Sequence, residues 1–338
     1  MQKNKVVIWV LTDSKIGSNT QALALAEYLA LLLRINLKVD VQYTQINVKY
    51  NYIANLPNFF LPFGFYQVAS PDFRAILSMQ IPDLIISASR KTAFISASMK
   101  RIYGVKNIHI LKPGIKFSNF NLIVVPYHDS IIKSSNNNII NITGALCNLE
   151  QKIQEGKSQF YQAYPSLQKV SYLAVLIGGA TKDSIFSEQD AKDLASIITQ
   201  VAKNNNLNAL ITFSRRTQDF IKNAILSIKN DNILIYDPAF GGNNPYPAMI
   251  SDAKFVIATC DSVSMCSEVV SSGKPLYIYI PKNFHSKKHL SFASNLFELG
   301  VARKLSLGTN NLQDYHYTPL NEVRRVAEYV ISNLIHVI

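Results

Sequence analysis

Acidic side chains are scarce in this chain: 22 Asp and Glu stand against 34 Lys and Arg, a formal net charge of +12. With 17% charged and 48% hydrophobic residues, the composition is that of a packed protein and excludes a charge-solvated, disordered one. The positive excess favours an acidic partner, either nucleotide phosphates or an anionic membrane surface. Nucleic acid is not expected, because the basic residues are scattered and no matching aromatic signature accompanies them. Cysteine is nearly absent. Cys147, Cys260 and Cys266 are an odd set with no CxxC and no His/Cys cluster. Neither a disulfide framework nor a metal site is therefore expected, and no cofactor. No apolar run approaches the ~18 residues of a spanning helix. Residues 1–13 lack a small-residue cleavage site and read as a first strand, so a cytoplasmic protein is expected. A GxGxxG dinucleotide fingerprint is missing as well.

What the chain does contain is strands alternating with helices, twice over. Residues 6–11 read as a buried strand, 12–19 as a polar loop with Gly17 and Asn19, 21–33 as a helix and 39–44 as a second strand. Strands follow at 83–88, 107–111, 122–125 and 138–143, with a helix from Ser89 and Arg90 to Tyr103 and another over 148–164. A linker at 165–168 precedes strand 172–177, which ends in Gly178 and Gly179. A capping box at 187–190 opens a helix to 203; strand 209–213 runs into Ser214, Arg215 and Arg216, and strand 233–236 follows. Helices at 287–299 and 321–336 complete the pattern. The fold class implied is α/β, two Rossmann-like lobes with mainly parallel sheets at 1–164 and 165–320 and a cleft between them. A C-terminal helix within 321–338 is expected to pack back toward the first lobe.

Loops leaving strand ends carry ligands in such folds. That singles out Gly17, Asn19, Arg90, His128, Gly178, Gly179, Ser214, Arg215, Arg216 and residues 261–264. His128 beside Asp129 is the chain's one His–carboxylate neighbour pair and a candidate base. The densest stretch is 244–281. A strand over 255–260 leads to Asp261 where a helix cap belongs, and Gly273 with Pro275 closes that helix. Ser264 and Glu268 lie four apart on one face, opposite Val263, Cys266 and Val270. A helix start after a parallel strand suits a phosphate, and Glu268 suits ribose hydroxyls. The spacing is met equally by a plain cap and a solvated carboxylate.

Residues 57–68 crowd Phe59, Phe60, Phe63, Phe65 and Tyr66 between two prolines and a glycine. They read as a loop tucked onto its own domain or, in the sharper alternative, as an aromatic patch that dips into an anionic bilayer between Lys49 and Arg74.

Several of these motifs resemble the bacterial homologues of the plant "elongated mitochondria" mitochondrial-fission proteins, whose fold is similar to the GT-B glycosyltransferases. The likeness is carried by Trp9 to Asp13 with Gly17, Asn19 and Gln21, by Ser89 to Thr92, and by Pro126 with His128 and Asp129. It continues through Thr143 to Ala145, Ile177 to Gly179 and Ser214 to Thr217. It is densest at Asn244 to Tyr246, Asp261 to Met265, Ser267 and Glu268, and Gly273 to Pro275. Ser14, Lys15 and Tyr127 depart from the family pattern. The resemblance implies a two-lobed GT-B-like fold and a nucleotide-sugar-like ligand, and the activity expected on that basis is a metal-independent GT-B-type glycosyltransferase that takes a nucleotide-diphosphate sugar. Gly178 and Gly179 would admit the diphosphate, Arg215 or Arg216 neutralise it, the helix start at Ser262 to Ser264, with Asp261 at its cap position, cap it, and Glu268 hold the ribose. Asp13 or His128 would be the base. Membrane contact through Phe59, Phe60, Phe63 and Phe65 would make the acceptor lipid-linked or part of the envelope, and the protein peripheral on the cytoplasmic face of the inner membrane. A nucleotide-sugar epimerase and a non-enzymatic membrane adaptor are the alternatives.

Overall fold

Alternate residues of the first strand, β1 (Lys5–Thr12), meet two different cores. Val6, Ile8 and Val10 pack with helix α1 (Ile16–Leu37) through Leu25, Leu29 and Leu33. Val7, Trp9 and Leu11 pack on the other face with Ile95 and Met99 of helix α2 (Arg90–Tyr103). A strand covered on both faces must be apolar throughout, which is why its run is unbroken.

The computed structural model describes residues 5–57, 60, 61, 63–69, 77, 78, 80–129, 138–179 and 186–335, with backbone alone at 150–152 and 155. They form two compact units, 1–148 with 321–338, and 149–320. The first unit holds β1, β2 (Asp40–Asn47), β3 (Leu84–Ser87), β4 (Lys106–Ile110), β5 (Leu122–Pro126) and β6 (Ile139–Ile142). Its sheet runs β2–β1–β3–β4–β5–β6. The second unit holds α3 (Glu150–Ala163), β7 (Tyr172–Ile177), α4 (Glu188–Asn204), β8 (Asn208–Phe213), α5 (Asp219–Leu226) and β9 (Ile233–Tyr236). It continues with α6 (Tyr246–Asp252), β10 (Phe255–Thr259), α7 (Val263–Ser272), β11 (Leu276–Tyr279), α8 (Lys287–Glu298) and β12 (Ala302–Leu305). Its sheet runs β12–β11–β10–β7–β8–β9, and every strand pairing in both sheets is parallel.

Each order reverses direction once, between β1 and β3 in the first sheet and between β7 and β10 in the second. Helices leave in opposite directions at such a point and open a crevice at the carboxyl ends of the two strands.

Three features differ from the sequence expectation. Helix α1 begins at Ile16, so Gly17 and Asn19 lie in its first turn and not in a loop. The Lys15 carbonyl accepts from the amides of Ser18 and Asn19, both at 3.0 Å, and this starts the helix early. Helix α3 packs on α6 of the second unit and not in the first lobe. Gly156 permits that contact, since a Cβ there would stand 2.5 Å from the Pro247 ring. Finally, α5 and β12 are elements that the sequence pattern does not announce. The last helix, α9 (Glu322–Asn333), packs on α1, burying Val323, Val326 and Val330. No helix among the described residues is long and apolar enough to cross a membrane.

Candidate functional site

The reversal point of the first sheet brings Asp13, just past β1, against Ser89, the cap of α2. The Ser89 hydroxyl donates to Asp13 Oδ2 at 2.6 Å and accepts from the Thr92 amide. Asp13 Oδ1 accepts from the Lys15 amide at 2.8 Å. The carboxylate is thus fixed, nearly buried, and aimed from the strand end. Removing the cap hydroxyl frees one helix amide and one carboxylate lone pair. Ser89→Ala is therefore expected to destabilise the first unit by about 1–2 kcal/mol in denaturant unfolding.

Other residues expected to bind a ligand here are already committed. Asn19 accepts from the Asp13 amide and donates to the Asp13 carbonyl, closing the turn on itself. Arg90 donates to the carbonyls of Ala54 and Leu56 at 2.9 and 3.3 Å, tying down the chain after β2. A Cβ added at Gly17 would meet nothing within 4 Å, so no close approach requires a glycine there. His128 and Asp129 sit in the turn after β5, three strand spacings or roughly 14 Å from β1.

In the second unit, the reversal point joins the ends of β7 and β10. Here Asp261 folds back over Gly178 and Gly179. Its Oδ2 accepts from the Gly179 amide at 2.8 Å, and the Gly178 amide donates to Thr259 Oγ1 at 2.8 Å. The two glycines do serve a close approach, but by Asp261 and by the chain at Arg216. A Cβ at Gly178 would lie 2.0 Å from Asp261 Oδ2, and one at Gly179 would lie 2.0 Å from the Arg216 carbonyl. Gly178 and Gly179 are expected to admit a diphosphate to the backbone; in the structure both of their amides are occupied within the chain.

Asp261 is also not the cap of α7. That is Ser262, whose Oγ accepts from the Met265 amide. Burial pushes the Asp261 carboxyl above its usual range, outweighing Thr259, the Gly179 amide and Arg216, which pull it down. Arg216 approaches Oδ2 at 3.4 Å from a half-exposed position, while Oδ1 is buried with no hydrogen-bond partner. Ser214 serves the turn: its amide donates to Thr217 Oγ1, and its Oγ accepts from the Arg216 amide. Thr217 in turn donates to the Gly178 carbonyl at 2.6 Å. Arg215 is exposed.

Helix α7 leaves β10 with first-turn amides that have no intrahelical acceptor. Ser264 is exposed on that turn, and Glu268 lies one turn further along the same face, about 6 Å on. Tyr246 donates its hydroxyl to Glu268 Oε2. Beside Glu268 is a recess of about 420 Å³ lined by Ile153, Gln159, Asn244, Tyr246, Pro247 and Ile250. Gly273, with a left-handed φ of 78°, ends the helix. Thr259 is not among the residues that the sequence singles out, and Thr217 and Tyr246 enter only as the ends of motifs that carry the family resemblance. Threonine in or beside a β-branched strand carries no signal of its own, and only the Asn-Pro-Tyr motif marks Tyr246. No group of three or more His, Cys, Asp and Glu that could hold a metal ion occurs among the described residues.

The family model described as "Mitochondrial fission ELM1" matches residues 16–334. The chain is 34% identical over 355 residues to "Uncharacterized protein RP120" of Rickettsia prowazekii, covering 96% of this chain and 97% of that protein. It is 24% identical over 276 residues to mitochondrial fission protein ELM1 of Arabidopsis thaliana, covering 75% and 64%. Among solved structures, UDP-GlcNAc 2-epimerase of Methanocaldococcus jannaschii superposes with TM-score 0.61 at 13% identity, over 97% of this chain and 100% of that one. A glycosyl transferase family 9 protein of Veillonella parvula gives 0.50 at 11%, over 98% of each chain. Two six-stranded parallel sheets with flanking helices, the α/β fold of GT-B proteins, are common ground with both.

Proposed function

We propose that this chain, which belongs to the mitochondrial fission ELM1 family, binds a nucleotide-diphosphate sugar on its second unit and acts as a glycosyltransferase. The observation that carries the reading is the arrangement on α7. A helix start whose Val263 and Ser264 amides have no intrahelical acceptor, the Met265 amide being taken by the Ser262 cap, lies one turn before Glu268 at the point where the sheet order reverses. The diphosphate would rest on the first-turn amides, Ser262 and Ser264, with Arg216 beside it. Glu268 would accept from the ribose hydroxyls, and the neighbouring recess would take the base. Fixed donors would then stabilise the charge on the departing diphosphate. Asp13, whose carboxylate oxygens are held in place by the Lys15 amide and the Ser89 hydroxyl, would take the proton of an acceptor hydroxyl. The kind of ligand is that of the structural neighbours, one of which is named for UDP-GlcNAc.

The test is product analysis with UDP-, GDP- and ADP-sugars, with and without an alcohol or lipid-linked acceptor. Release of nucleoside diphosphate that depends on the acceptor is expected. Conversion of the sugar to an epimer without acceptor would overturn transfer but keep the site. No binding of any nucleotide sugar would overturn both and leave the membrane adaptor as the account.

A further inference from the structure

The segment over 52–66 carries no charged residue, and its described residues 54–56 and 63–65 meet the start and the later turns of α2 respectively. At the start of α2, Arg90 holds the Ala54 and Leu56 carbonyls, and Lys91 donates to Asn55 Oδ1 at 3.0 Å. Further along, the Gly64 amide donates to Ser98 Oγ at 2.9 Å. Phe63 stacks on Phe94 at 5.2 Å, with Arg101 over its ring at 4.9 Å, and Phe65 stacks on Tyr103 at 6.4 Å. Phe63 and Phe65 are therefore anchors, half-buried on the helix. Phe59 lies outside the described residues.

What the strap turns outward is a different set. Tyr52 is 82% exposed, Phe60 66% and Tyr66 66%, with Leu56 beside them. An open groove of about 570 Å³ runs between the strap and the end of α2, lined by Phe63, Phe65, Tyr66, Leu77, Ile102 and Tyr103. Cations stand at both ends of the strap: Lys49, Arg90 and Lys91 at one, Lys100 and Arg101 at the other. Between Asp40 and Asp129 the sequence holds nine Lys and Arg against two acids, Asp72 and Asp83. Asp83 accepts the Val7 amide at the opposite end of the sheet from Asp13.

We propose that this face docks on an anionic lipid bilayer, with Tyr52, Phe60 and Tyr66 entering the interface and the flanking Lys and Arg meeting the headgroups. The two exposed tyrosines have polar edges that suit the interface, Phe60 adds an apolar ring, and each basic residue near a negative surface contributes about 1 kcal/mol. A second copy of the chain is disfavoured as the occupant, since it would set one positive face against another. The inference is independent of nucleotide binding.

The test is co-sedimentation of the full chain with vesicles of equimolar phosphatidylcholine and phosphatidylglycerol, against phosphatidylcholine alone. Binding to the anionic vesicles, lost at high salt, is expected. Tyr52→Ser, Phe60→Ser and Tyr66→Ser together should weaken it on the order of tenfold at an unchanged unfolding midpoint. Lys49→Glu with Arg101→Glu, which keeps Tyr52, Phe60 and Tyr66, should weaken it by a similar factor at an unchanged unfolding midpoint. Wild-type binding no better than to neutral vesicles would overturn the proposal. So would undiminished binding by both variants, or a loss of self-association in the aromatic variant, which would make the face a protein interface.

Discussion

Gly179→Ala is expected to lower the stability of the second unit by about 3 kcal/mol or more, read as a shift in the denaturant midpoint at constant slope. The added Cβ would stand 2.0 Å from the Arg216 carbonyl oxygen and 2.9 Å from the Thr217 amide nitrogen. Both are backbone atoms, so no rotamer change relieves the overlap. The turn cannot easily retreat, because the Ser214 amide is held by the Ile177 carbonyl and by Thr217, and Thr217 bonds back to Gly178. Moving it would also pull Asp261 away from the Gly179 amide, leaving a buried donor unpaired. Gly17→Ala is the matched control. It lies in the first turn of α1 with open space around it, and is expected to change stability by under about 1 kcal/mol, in the stabilising direction. Equal effects at the two glycines would contradict the packing described.

Asp261→Asn is expected to gain stability relative to wild type as pH rises. Burial raises this carboxyl, so between its unfolded and folded pKa values the folded state keeps a proton that the unfolded chain has released. Stability from such a group is full below the unfolded value, about pH 4, and is lost as pH climbs through the folded one. The amide cannot ionise and so escapes that loss while keeping an acceptor for Gly179. The asparagine leaves its amide nitrogen as unpartnered as Oδ1 is, so that cost cancels and only the ionisation-linked difference, growing from acid to neutral pH, is read. Asp190, Asp237 and Asp252 behave in the opposite sense. Burial raises each, but hydrogen bonds and lysine partners outweigh it and hold them low, so their contribution is lost as pH falls. They are common to both proteins and cancel in the comparison. A difference that stays flat from acid to neutral pH would show that Asp261 carries its charge without penalty.

Asp261 illustrates what the sequence makes legible and what it hides. The strand before it and the helix after it follow from local pattern: β10 is an apolar run buried on both faces, and α7 has its cap and closing glycine within reach. That the carboxylate turns back onto Gly178 and Gly179, some eighty residues earlier, is encoded in no local spacing; only the parallel pairing of β7 with β10 creates it. The same holds for Asp13 and Ser89, which meet because β1 pairs with β3. Charged residues hide an element outright: β12, Ala302 to Leu305, is an edge strand whose Arg303 and Lys304 break the apolar signal. The aromatic segment is visible as unusual, but which rings face inward depends on the groove along α2.

Nucleotide binding at the start of α7 is tested most directly by calorimetric titration of UDP, GDP and ADP into wild type, Glu268→Ala and Arg216→Ala. One nucleoside diphosphate should bind wild type saturably. Glu268→Ala should weaken it at least about tenfold, as expected for charge-assisted bonds to two ribose hydroxyls, and Arg216→Ala should weaken it through the diphosphate. Absence of binding by all three nucleotides, or binding that neither substitution changes, would contradict the account.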